Sequence, residues 1–245
     1  MKMNILKNLL FLFLASTLLF NCTKENCEPY EQNEIQIDTS FSIGNSADNM
    51  IITTLDTFLV IKAEWHEYEE FIIDINNDGQ NDFKLISNHP SSPAGIDYQE
   101  SWLKILNSSI EVSSEMIIDT IYKCNLNDTI NEYALFNKNS GYFCEDVITK
   151  HKTDSIIYPV VYNSGDTISD NELWVQDELV FSYYNRNCCF WKPTYINQGI
   201  WNDINIKYIL FRFKHDGGNS YGWIKLNIED FKEIKLYEYA YQEFK

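Results

Sequence analysis

The chain has 245 residues, with 36 acidic against 19 basic side chains and a formal net charge of −17. So acidic a surface excludes nucleic acid and anionic headgroups as electrostatic partners and suits divalent cations. With 16 Tyr, 15 Phe and 6 Trp, the sequence is far too aromatic for a disordered chain.

Residues 1–21 read as a signal peptide. Lys2 and Lys7 form a basic start, and residues 9–20 form an apolar run too short to cross the hydrocarbon core of a bilayer. The run ends directly at Cys22. A Cys in that position resembles the lipobox of bacterial lipoproteins. Phe20 and Asn21 stand where that family prefers small residues, and such looser boxes are similar to those of Bacteroidetes-type lipoproteins. The resemblance implies cleavage before Cys22 and a diacylglyceryl thioether on its sulfur, usually with an N-acyl chain. Two or more acyl chains anchor a protein firmly, whereas one does so only marginally. The other readings are an ordinary secretory signal with a chance Cys, or an uncleaved anchor. Thr23 follows Cys22 where the inner-membrane retention signal would place Asp, so the resemblance implies the outer membrane. Lys24-Glu25 resembles a surface-export signal, but which face of the membrane carries the protein stays open.

Residues 22–34 are polar and read as a tether, and 35–245 as a single β-rich domain. No long stretch shows apolar residues at helical spacing. Short strand-like runs recur instead, at 51–65, 71–75, 82–87, 102–112, 116–122, 156–162, 173–184, 206–215, 221–228 and 234–241. The stretch 88–99, with two prolines and a glycine, reads as a loop, and 123–155 has no clear pattern. In the last third, Ile209, Phe211 and Phe213 alternate with Leu210, Arg212 and Lys214. Ile224, Leu226 and Ile228 alternate with Trp223, Lys225 and Asn227. With Asp216-Gly217-Gly218-Asn219-Ser220 between them, these predict an antiparallel hairpin with one buried face. The expected fold is all-β, an antiparallel β-sandwich or jelly-roll.

One segment carries ligand chemistry. Within FIIDINNDGQNDFKL, Asp74, Asn76, Asp78 and Asp82 place side-chain oxygens at relative positions 1, 3, 5 and 9. Gln80 can offer its carbonyl at position 7, and Gly79 sits at the sharp turn of position 6. That spacing suits Ca²⁺, which takes six to eight hard oxygen ligands. Position 12 is Leu85, not Glu, so this is no EF-hand. The segment resembles the D-x-N-x-D-G-x-x-D loops inserted between strands of many secreted bacterial proteins, with Ca²⁺ in a structural role. The Glu67, Glu69 and Glu70 cluster is the candidate for a remaining ligand. The alternative is a metal-free Asx-type turn. The loop, together with the Tyr221-Gly222-Trp223-Ile224-Lys225 strand and the final Tyr-Ala strand, is similar to a family of uncharacterised secreted bacterial β-proteins and lipoproteins. That resemblance implies a fold and no activity.

Beyond Cys22 the cysteines are Cys27, Cys124, Cys144, Cys188 and Cys189. Export permits disulfides. Cys124 with Cys144 is the expected pair, the alternative being five reduced thiols. His66-Glu67 begins like a zinc-protease helix, but position 70 is Glu70 where the second His belongs. No nucleophile elbow, P-loop or dinucleotide fingerprint occurs. The aromatic cluster of Tyr183, Tyr184, Phe190, Trp191, Tyr195 and Trp201 reads as core and its edges, with a weaker lectin-like reading. The function expected is a non-catalytic, lipid-anchored envelope protein, its partners the membrane and a glycan or envelope protein. The alternatives are a carbohydrate-binding module of a glycan-uptake system, which exposed, coplanar Trp and Tyr on one sheet face would support and burial of Trp174, Trp191 and Trp201 would sink, and a glycan hydrolase, which requires two acids facing across a cleft.

Overall fold

Alternating apolar residues build two antiparallel sheets in the computed structural model, which describes residues 41–46, 49–90, 96–125, 133–137, 148–169, 171–187 and 194–243. The signal peptide, Cys22, the tether, Cys27, Cys144, Cys188 and Cys189 lie outside them. No helix occurs among the described residues. The larger sheet runs β1 (Met50–Ile61), β13 (Glu233–Gln242), β12 (Gly218–Glu229), β11 (Lys207–His215), β5 (Ile110–Asn125) and β6 (Tyr133–Asn137). Strands β7 (Ile148–Pro159) and β8 (Leu173–Val175) also pair with β5. The smaller sheet runs β10 (Thr194–Gln198), β9 (Glu178–Asn187), β4 (Ile96–Ile105), β3 (Phe83–Asn88) and β2 (Tyr68–Ile73). The inner faces pack together through Ile73, Phe83, Leu85, Leu103, Leu179 and Phe181 from the smaller sheet, and Val112, Ile209, Phe211, Ile224, Leu226 and Leu236 from the larger. This is the β-sandwich that the strand pattern predicts.

Besides the start of β4 at Ile96, inside the stretch 88–99 read as a loop, two sequence expectations change. The run 102–112 is two strands, one in each sheet, joined by a turn at 106–109 that crosses the sandwich. The run 173–184 likewise splits into β8 and β9. The second change concerns the hairpin β11–β12, whose register places His215 opposite Gly218. Ile209, Phe211, Ile224 and Leu226 face the main core as expected. Leu210 and Trp223, on the opposite face, are buried too, at 0 % and 1 % exposure. They join Phe41, Ile43, Tyr162, Tyr208, Tyr221 and Ala240 in a second core. Its cover is made of irregular segments around residues 41–46 and 160–169. Ile43 N–H donates to the Asp166 carbonyl, Gly165 N–H to the Ile43 carbonyl, and Tyr162 and Tyr208 exchange backbone hydrogen bonds. A loop layer therefore does what a third sheet would do. Gly222, on the same strand as Trp223, faces the main core, and a Cβ there would stand 2.2 Å from the Phe211 ring and 2.5 Å from the Ala240 carbonyl oxygen. Only glycine lets the three strands close this tightly.

The two ends of the sandwich are tied differently. At one end the β12–β13 connection reaches across to the smaller sheet. Asp230 and Phe231 both adopt left-handed backbone, with φ of 50° and 61°, which costs about 1 kcal/mol or more per residue for non-glycine. Four contacts hold that conformation. Phe231 N–H donates to Asn202 Oδ1 (2.7 Å) and Ser182 Oγ donates to the Phe231 carbonyl (2.8 Å). The Phe231 ring stacks on Tyr184, and Lys232 Nζ donates to His89 Nδ1 (2.8 Å). Because the ammonium can only donate, His89 Nε2 carries the proton and donates to Asp97 Oδ1 (2.9 Å).

Across the middle of the larger sheet, Arg212 and Lys214 of β11 pair with Glu111 of β5 at 2.6 and 2.8 Å. Arg212 also lies 4.3 Å over the Trp174 ring. Burial pushes the Glu111 carboxyl up, but Lys214 and Arg212 outweigh it and hold the net value below the usual range. A carboxylate with a lowered folded pKa contributes stability above its unfolded value of about 4.3, and loses that contribution as pH falls through the folded value. Urea unfolding at pH 7 and at about pH 3 is therefore expected to show a smaller pH-dependent loss in Glu111→Gln than in the natural chain.

Candidate metal-binding loop

The sequence D-I-N-N-D-G-Q-N-D joins β2 to β3, and its polar side chains fold it. Asp74 Oδ1 and Oδ2 accept the backbone N–H groups of Asp78 (3.2 Å) and Gly79 (2.9 Å). Asn76 Oδ1 accepts Asp78 N–H (3.1 Å), and Asp78 Oδ1 accepts Gln80 N–H (2.8 Å). Asn76 Nδ2 donates to the other Asp78 oxygen (3.0 Å). Two left-handed residues make the bend, Asn77 at φ 56° and Gly79 at φ 86°, both types that adopt this conformation readily. Asp78 and Gln80 are exposed, and Asp74 and Asn76 are half-buried.

Asp82 behaves differently from the other four. It is fully buried. Its Oδ2 accepts Ile75 N–H and its Oδ1 accepts Asn107 Nδ2, both at 2.8 Å. Its own N–H donates to the Ile73 carbonyl (2.8 Å), and its carbonyl accepts Leu106 N–H (2.8 Å). One residue thus closes the loop at its base and fastens it to the crossing turn at 106–109. Asn107 carries the connection onward, its Oδ1 accepting both N–H and Oγ–H of Ser109, whose carbonyl accepts Lys214 N–H from β11. Burial is the main force pushing the Asp82 carboxyl upward, with the Asp78 and Asp74 charges adding to it. The hydrogen bonds from Asn107 and Ile75 oppose that shift without cancelling it.

The glutamates expected to complete a ligand set are engaged elsewhere. Glu67 Oε2 accepts Glu64 N–H, Glu69 Oε2 accepts Lys62 N–H, and Glu70 pairs with Lys84 at 2.8 Å. Among the described residues, no three His, Cys, Asp or Glu side chains converge as a ready metal site. In the loop, the inward turn of Asp82 leaves Asp74 and Asp78 as the carboxylates nearest the bend, with Asn76 and backbone carbonyls as further oxygens.

Other sequence candidates fall in different places. Cys124 lies on β5, its Cα opposite Ala134 and Ile148; its expected partner Cys144 lies outside the described residues. His66 is exposed and left-handed at φ 68°. Trp201 is wholly buried, its ring against Phe181 and its Nε1 donating to the Pro159 carbonyl (2.7 Å). Trp174 is half-buried beneath Arg212, and Trp191 lies outside the described residues. Trp201 therefore offers no ring face to a sugar, whereas Trp174 keeps part of its ring exposed. Comparison with known proteins finds no family model, no curated protein and no solved structure that matches this chain.

Asp82 is testable apart from any ligand. Asp82→Ala leaves the buried Ile75 N–H and the half-buried Asn107 amide without an acceptor, a cost of about 2–3 kcal/mol. Asp78→Ala removes an exposed side chain, and without calcium it should cost well under half of that. Urea midpoints of the two variants in EDTA check the order.

Proposed function

We propose that the chain is a lipid-anchored protein of the bacterial cell envelope, held to the outer membrane through Cys22, with a non-catalytic binding or architectural role. A structural Ca²⁺ would sit in the 74–82 loop, taken by Asp74, Asn76, Asp78 and the Gln80 carbonyl, with water filling the remaining positions. Asp82 would brace the loop from below, its charge adding to the attraction for the cation. The observation that carries this reading is the geometry of the loop, which turns the oxygens of Asp74, Asn76 and Asp78 about one bend. Asp74 and Asp78 lie close enough to Asp82 to push its carboxyl up on top of the effect of burial, and the hydrogen bonds to Asp74, Asp78 and Asp82 come from neutral amides. A divalent cation relieves that repulsion. The backbone turn already directs Asp74, Asn76 and Asp78 to one bend, so little ordering remains to be done on binding.

Sites of this kind in extracellular modules bind calcium with dissociation constants of about 10⁻⁴ to 10⁻³ M. A tenfold excess of calcium over such a constant stabilises the fold by about 1.4 kcal/mol, or roughly 3–6 °C in melting temperature for a domain of this size. Melting in calcium against EDTA should show that rise, and Asp78→Ala should abolish it. Identical curves in calcium and EDTA would make the loop a bare turn. For the anchor, Cys22→Ala is expected to move the protein from the membrane fraction to the soluble one. Retention of that variant in membranes would contradict the lipid anchor.

A further inference from the structure

The outer face of the smaller sheet carries a second set of aromatic residues, one that the sequence scatters. Strand register brings them together. Tyr68 of β2 stands opposite Asn88 of β3, which stands opposite Glu100 of β4, which stands opposite Tyr183 of β9. In the next row toward the loop, Ile86 is opposite Trp102, which is opposite Val180. In the row on the other side, Tyr98 faces Asn185. These positions alternate with Leu85, Leu103 and Leu179, which point into the main core, so all of them lie on the outer side.

The polar groups on this face are ordered by one another. Asn88 Nδ2 donates to Glu100 Oε1 (2.6 Å), the Tyr98 hydroxyl donates to Glu100 Oε2, and the Tyr68 hydroxyl donates to Glu70 Oε2 (2.7 Å). Asn185 Nδ2 donates to the Tyr183 hydroxyl (3.2 Å), and the Tyr98 and Tyr183 rings meet edge to face at 4.9 Å. Tyr68 is 52 % exposed, whereas Ile86 beside Trp102 is only 3 % exposed. Trp102 Nε1 has no hydrogen-bond partner, the only such buried side-chain atom on this sheet among the described residues.

We propose that this face is a platform for a neutral glycan chain laid across β2, β3, β4 and β9, with Tyr68, Trp102 and Tyr183 contacting sugar faces and Asn88 and Glu100 binding hydroxyl groups. The proposal rests on reading the domain as a non-catalytic binding module and names the ligand class it would bind. Fixed aromatic rings present flat apolar area at low entropic cost, while carboxylates and carboxamides match the paired donors and acceptors of neighbouring hydroxyls. The three inter-strand steps span roughly 14 Å, a length that suits an oligosaccharide rather than one sugar. Charge decides against the other occupants. The lysines bordering the face are already paired, Lys84 with Glu70 and Lys104 with Glu178, so an anionic polymer meets carboxylates. A protein partner calls for a central patch poor in charge, and here Glu100 lies on β4, the central strand of the sheet.

The test is affinity electrophoresis of the full chain in a polyoxyethylene detergent, in native gels containing xyloglucan, galactomannan, mixed-linkage β-glucan or amylopectin, with polygalacturonate as the anionic probe. At least one neutral polysaccharide should retard the protein. Tyr68→Ala and Glu100→Gln should each weaken that retardation about fivefold or more, while Phe58→Ala, which truncates an exposed ring on the other sheet, should leave it unchanged. Retardation by none of the four, by polygalacturonate alone, or to the same degree in either face variant would overturn the platform. The calcium melting shift is read independently. A failed platform with an intact shift leaves the metal reading standing, and a lost shift with retained glycan binding removes the metal alone.

Discussion

Asp82 is the constraint on which one end of this sandwich depends. Its carboxylate, amide and carbonyl together join the end of β2, the interior of the 74–82 loop and the turn where the chain crosses from one sheet to the other. A fully buried carboxylate is costly unless its hydrogen bonds are satisfied. Here two donors satisfy it, yet burial and the neighbouring carboxylates still push its pKa up. The residue that fixes the geometry thus also makes the loop electrostatically incomplete. Structure and proposed cation binding follow from the same side chain.

The far end is secured by different means. Strained backbone at Asp230 and Phe231 is held by an aromatic stack, by side-chain hydrogen bonds and by the Lys232–His89–Asp97 chain. At the Asp82 end, Glu111 with Arg212 and Lys214 also links β5 to β11 within the larger sheet. The sheets are therefore joined by specific polar contacts at both ends, with apolar packing between them.

Much of this was legible in the sequence because strand alternation is a local signal. The hairpin of β11 and β12, the inward set Ile209, Phe211, Ile224 and Leu226, and the turn at Gly79 all follow from neighbours in the chain. What escaped depends on contacts distant in sequence. Leu210 and Trp223 look like solvent-side positions until residues 41–46 and 160–169 cover them. Strands β4 and β5 read as one run because the short turn carrying Asn107 contains no glycine or proline to mark it. Asp82 fits the calcium spacing, and only its partner Asn107, 25 positions away, shows that it turns inward. Tyr98 falls in a stretch whose prolines and glycine suggest a loop, so the row from Tyr68 to Tyr183 emerges only from the register of four strands.

The proposed lipid anchor at Cys22, the proposed calcium loop and the proposed sugar-binding sheet face would together make an envelope protein, and calcium is the element of that proposal tied most closely to the fold. The most direct measurement is a calcium titration followed by amide NMR of the full chain in detergent micelles. One-site shifts are expected at Asp78, Gly79 and Gln80, saturating below about 10 mM calcium, with smaller changes at Ile75 and Asp82 beneath them. Amide signals across residues 74–82 that do not move over that range would contradict the central claim.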